Sequence, residues 1–180
     1  MLHRPVHETA KIGADNPDNY YQAAAISGAH EYRIKGQRGT IHYLDFGTQS
    51  DGVAGSGTSS QAGHLDASDL EMDADGRFDI LLSCEEKPGN WLRMEPDTTQ
   101  LIVRQTFLDR DVEKPADLVI ERSGGDGKPA PLTAEKVDAS LKQASGLVVA
   151  CSSLFSGWAQ GFRANHSNAL PKFDDSVSMG

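Results

Sequence analysis

The stretch "TTQLIVRQTF", residues 98–107, decides how the rest of the chain is read. Side chains alternate across a strand, so Leu101, Val103, Gln105 and Phe107 share one face, and Ile102, Arg104, Thr106 and Leu108 the other. Both faces are apolar, the pattern of a strand covered on both sides and therefore central in its sheet. Each face carries one polar intruder, Gln105 or Arg104. A guanidinium held in a sheet is costly unless something pairs with it, so Arg104 calls for a carboxylate of the protein or of a ligand. Asp18, Asp45 and Asp109 are the protein candidates, and a structural ion pair is the plainer reading. Just upstream, "PGNW" (88–91) makes a tight turn in which Asn90 can bond locally, while Trp91 caps the core or stacks on a flat ligand.

Working outward, 28–122 has the texture of an antiparallel sheet. "HEYRIKGQRGTIHYLDFG" (30–47) reads as a hairpin turned at "KGQRG", and "DLEMDADGRFDILLSCE" (69–85) as a second, turned at Asp75-Gly76. "ADLVIER" (116–122) supplies a further strand, and "DNPDNYY" (15–21) is a turn leading into the first. Roughly six or more short strands at this spacing argue for a mainly β fold, an antiparallel β-sandwich or jelly-roll-like domain. "DADGRFD" (73–79) imitates a calcium loop, but counting from Glu71 the twelfth position is Leu82, where a bidentate Glu belongs; a turn explains the same residues.

The Gly/Ser/Thr-rich segment 48–66 reads as a long loop able to cover a site, and 123–132 as a linker ending at Thr133, a helix N-cap. Over 134–163, Val137, Leu141, Ala144, Val148, Cys151, Phe155, Trp158 and Phe162 recur in steps of four and three, and Leu147 and Leu154 widen the stripe. Burying that stripe is worth on the order of 10 kcal/mol before entropy is subtracted, so it requires a cover: its own sheet, a symmetry mate, or another chain or domain. A helix left bare in solvent would remove the main support for assembly through it. The expected organisation is a tail at 1–14, a β-sandwich at 15–122, a linker at 123–132, a long amphipathic helix at 133–164 and an extended tail at 165–180.

A formal net charge of -9 repels phosphate backbones and anionic lipid, so neither nucleic acid nor a membrane surface is an expected partner. The beginning of the sequence lacks the apolar core of a signal peptide, and "LVVACSSLF" (147–155) falls well short of the ~20 residues of a membrane span; a soluble, cytoplasmic protein is expected. Cys84 and Cys151 read as buried thiols. His3 and His7 straddle Pro5 in a tail, and no metal site or cofactor is called for.

The candidate catalytic groups are Asp18, His42 and Arg104: Arg104 as anion anchor, Asp18 or His42 for acid–base chemistry. His42 shares its strand face with Leu44 and Phe46, which implies partial burial, and its plainer reading is a satisfied core residue. Asn19, Tyr20, Asn90, Trp91 and Gln105 are the candidate ligand-binding groups, with Tyr21 beside Asp18, Asn19 and Tyr20 in one polar wall. No Cys/His or Ser/His constellation argues for a covalent mechanism.

The ordered series "NPDNYY", "YRIKGQRGTIHYLDFGTQ", "DGRFDILLS", "PGNWL", "VRQTFLDR" and "PADLVIER" resembles a bacterial family known as domain of unknown function 1214, over about residues 15 to 122. The resemblance implies a jelly-roll-like sandwich, the first of two related units, with the second beginning soon after a helix, about where this chain stops. It implies no catalytic residues. The function expected is that of a small-molecule-binding protein, an enzyme or enzyme subunit acting on a hydrophobic or aromatic compound in bacterial metabolism. The alternative is a non-catalytic assembly module that pairs through 134–163 with another copy or a companion chain.

Overall fold

Burial alternates along Thr98–Thr106 as a pleated strand requires: Leu101, Val103 and Gln105 are fully covered, whereas Ile102, Arg104 and Thr106 are half-buried. This strand is β7 of the computed structural model, which describes residues 1–11, 16–50, 60–125 and 131–165. The others are β1 (Asn19–Ala25), β2 (Tyr32–Gln37), β3 (Tyr43–Ser50), β4 (Ser60–Asp66), β5 (Arg77–Ser83), β6 (Trp91–Arg93) and β8 (Asp117–Arg122), with a 3-10 turn at Ala67–Asp69 and helix α1 (Ala134–Asn165). The fold is mainly β.

Two four-stranded sheets face each other, one in the order β1-β7-β3-β4 and the other β6-β5-β2-β8. All pairings are antiparallel except β5 with β6. β7 has a strand on either side, as expected, but only its inner face is covered; Ile102, Arg104 and Thr106 face outward. The core lies between the sheets, where Phe46 of β3 meets Phe78 of β5 edge to face, with centroids 5.9 Å apart. Gly36 makes that contact possible, because a Cβ there would stand 2.5 Å from the Phe78 ring. Side chains of one inner face thus interlock with the other, and this apolar interior holds the sandwich together.

Several local expectations fail, each for a reason tied to tertiary structure. β2 and β3 are not a hairpin, because β2 pairs with β5 and β8 while β3 pairs with β4 and β7. The intervening residues switch sheets, anchored by the Arg38 N–H on the Gly76 carbonyl and the Thr40 and Ile41 N–H groups on that of Lys114. Paired glycines between alternating runs are common to both arrangements, so the pattern could not separate them. Residues 69–76 form no strand partner for β5; a turn there is held by the Asp73 carboxylate, which accepts from the N–H groups of Asp75 and Arg77. Nor is 48–66 one long loop. Its ends belong to β3 and β4, paired with a bulge near Thr48, and 51–59 lie outside the described residues.

His3 exchanges two backbone hydrogen bonds with Ala23, which ties the segment read as an N-terminal tail to the edge of β1. Cys84 is exposed, contrary to the buried thiol expected, and donates to the Gly28 carbonyl; both cysteines are free.

Helix α1 runs unbroken over the expected span, and none of its residues is buried. Leu141 is 63% exposed, Val148 66% and Trp158 54%, so the reading in which the stripe packs on its own sheet is ruled out. With the ribbon bare in the single chain, periodicity alone no longer supports assembly or a pocket shared with the β body. Among the described residues, no helix is long and apolar enough to cross a membrane.

Candidate functional site

Since Val103 and Gln105 point into the core, Arg104 points outward from the first sheet, and strand register decides its company. Arg104 stands opposite Tyr21 on β1 and Asp45 on β3, and Asp45 stands opposite Asp66 on β4. One row thus crosses all four strands. The next row on the same face is Asn19, Thr106 and Tyr43; on the other side lie Ala23, Ile102, Gly47 and His64. The alternation of each strand delivers these groups together, although their positions in the chain are far apart.

Hydrogen bonds knit most of them. Asn19 Nδ2 donates to the Tyr21 hydroxyl (2.8 Å), and the Thr106 hydroxyl donates to Asn19 Oδ1 (2.8 Å). The Tyr43 hydroxyl donates to Asp45 Oδ2 (3.2 Å), and His64 Nε2 lies 3.3 Å from the same oxygen. An ionised carboxylate only accepts, so the pair places a proton on His64 Nε2, and in the neutral ring Nδ1 is then the basic nitrogen. Burial, followed by the charge and hydrogen bond of Asp45, pushes the Tyr43 phenol up to about 12. Backbone donation by Ser68 N–H (2.8 Å) holds the Asp66 carboxyl below the usual range.

Arg104 is the exception. Its guanidinium lies 5.7 Å from the centroid of the Tyr21 ring, and its buried Nε–H has no hydrogen-bond partner. Among the described residues no carboxylate forms an ion pair with it, which corrects the expected structural pairing. Asp45 sits opposite but spends Oδ2 on Tyr43 and His64, while Asp18 and Asp109 are exposed. A half-buried cation with an unused donor, beside the half-buried Ile102 and the bare backbone of Gly47, can take the anionic group of an otherwise apolar molecule.

The other anticipated residues disperse. Trp91 pairs in register with Leu81, which faces away from the core of the second sheet, and its indole N–H donates to Ser83. It cannot share a pocket with Arg104, because the sandwich stands between them. Asn90 is consumed locally: its amide donates to the Glu71 and Asp79 carbonyls and its oxygen accepts the Glu71 N–H. Gln105 is fully buried and braces the core, donating to Gln22 Oε1 (3.0 Å) and accepting the Ala116 N–H (2.7 Å). Tyr20 turns inward, with Arg4 over its ring at 4.9 Å, so its neighbour Tyr21 is the phenol beside Arg104. His42 is exposed rather than partly buried, since it precedes β3 and its carbonyl accepts from Arg38. Of the expected groups, Arg104, Asn19 and Tyr21 meet on this face.

Tyr43, His64 and Asp66 were not anticipated. His64 sits inside the segment read as loop, where only the short run "HLD" hinted at a strand. A groove of about 560 Å³ on the second sheet, lined by Arg33, Lys35, Asp79 and Asn90 among others, is less suited to a ligand. Its cations are already paired, Arg33 with Asp79 at 3.4 Å, Lys35 with Glu121 at 2.9 Å and Arg77 with Asp75.

The crystal structure of an uncharacterized protein from Burkholderia cenocepacia matches 96% of this chain with 51% identity and a TM-score of 0.91. The chain is similar to about half of that protein. It spans 48% of the relative's length. A Vibrio parahaemolyticus structure, 12% identical with a TM-score of 0.42, is too distant to carry any argument. No family model matches the chain, and no curated protein does.

Proposed function

We propose that this is a small-molecule-binding β-sandwich protein whose site is the outward face of the β1-β7-β3-β4 sheet, with Arg104 receiving the carboxylate of a hydrophobic or aromatic acid. The observation that carries the reading is the buried, unpartnered Nε–H of Arg104, beside an apolar strip formed by Ile102 and Gly47. Asp45, which stands opposite that anchor, orients the imidazole of His64 on the same face, an arrangement that suits proton transfer in an enzyme or enzyme subunit. Membership of the domain of unknown function 1214 family belongs to this proposal and rests on the ordered motifs. So does a cytoplasmic location, with which the two free thiols agree.

A non-catalytic assembly role is the second reading; exposure of α1 does not speak for it, and what supports it is the absence of charge from Gln143 to Phe162. Calorimetric titration with benzoate and longer apolar carboxylates separates the two. On the binding reading, Arg104→Met abolishes the heat of binding and leaves the melting temperature near wild type. Absence of binding by the unmodified protein, or unfolding of the variant, would overturn it in favour of a structural role for Arg104.

A further inference from the structure

We infer that α1 is the docking element for a second unit, equivalent to the half of the Burkholderia chain that this one does not match. The inference does not depend on the anion site. From Gln143 to Phe162 no charged side chain occurs, although Val148, Val149 and Trp158 are each more than half exposed. A solvated surface helix carries charge on its outer face, so a helix neutral on all sides is built for the interior of an assembly. The face opposite the stripe carries Gly146, Ser153 and Gly157, and a Cβ added at either glycine would meet nothing within 4 Å. Those positions leave room for another backbone to approach closely.

The shape of the apolar surface selects the occupant. A two-stranded pairing with a second copy covers a narrow seam, whereas here Leu147 and Leu154 widen the stripe and Val149 adds apolar surface beyond it. A broad, neutral surface fits a concave seat on a folded unit. The solved relative carries additional chain of the size such a unit needs, since 52% of it, the remainder after the 48% spanned, lies beyond this match.

Hydrogen exchange tests this on the two proteins as they are, with molar mass from light scattering. In the full-length Burkholderia protein, the counterpart of 143–162 is expected to exchange at least ~100-fold more slowly than the same segment of this chain as a monomer. Equal exchange in the two proteins overturns the inference. So does a dimer of this chain that protects its own helix and returns to monomer on Val148→Glu, because a second copy is then the occupant.

Discussion

The guanidinium of Arg104 rests over the ring of Tyr21, its cross-strand partner, 5.7 Å from the ring centroid. The ring shields one face of the cation without consuming an N–H, so Arg104 is held in place and remains a donor. The Tyr21 hydroxyl is itself held by Asn19 at 2.8 Å. Tyr21→Leu is therefore expected to weaken carboxylate binding by about 2- to 5-fold, the worth of an exposed cation–π contact. Arg104→Lys should lose more, since an ammonium cannot reproduce the planar fork. Titration of both variants against wild type decides; unchanged affinity in the lysine variant would remove Arg104 as the anchor.

Gln105 joins β1, β7 and the segment before β8 through its bonds to Gln22 and Ala116. Gln105→Leu keeps the volume but strands the Ala116 N–H in the core, at a cost of about 1–3 kcal/mol. A lower urea midpoint with an unchanged slope is expected. A loss below about 0.5 kcal/mol would show that the brace is dispensable.

Tyr43 predicts a pH dependence. Its folded pKa, pushed from 10.0 to about 12, means that the native state keeps a proton the unfolded chain has released. That contribution is fully present below pH 10.0 and is lost as pH rises to about 12. Tyr43→Phe should flatten the alkaline fall in stability across this window. Parallel curves for the two proteins would show that the phenol is not perturbed by its neighbours.

Gly63 brings β4 against β6, where a Cβ would stand 2.4 Å from the Arg93 carbonyl oxygen. The Thr48 hydroxyl donates to that same oxygen. Gly63→Ala must move one strand and is expected to cost about 1–3 kcal/mol. Because His64 follows directly, its imidazole resonances should shift as well. A variant as stable as wild type, with His64 undisturbed, would refute this role for the glycine.

Much of the architecture was legible in the chain. The apolar run of 98–107 identified a strand with neighbours on both sides in its sheet, although only its inner face is buried and the outward one is half-exposed, and the four-and-three spacing of 134–163 identified a helix. Arg104 stood out for the same reason: a guanidinium among aliphatic residues demands an explanation. What covers α1 was beyond the pattern, since periodicity shows that a face is apolar and not what it touches.

Pairing was settled only in three dimensions. Alternation assigns a side chain to a face, but a turn between two strands does not say whether they bond to each other or enter opposite sheets; the 38–42 connection does the latter, separating β2 from β3. The same choice put Trp91 and Arg104 on opposite sides of the sandwich and gathered Tyr21, Asp45, His64 and Asp66 around β7. Local residue pattern specified β2, β3, β5, β7 and β8 and their two faces, and missed β4 and β6. Long-range register, fixed by burial between the sheets, determined which outward residues became neighbours.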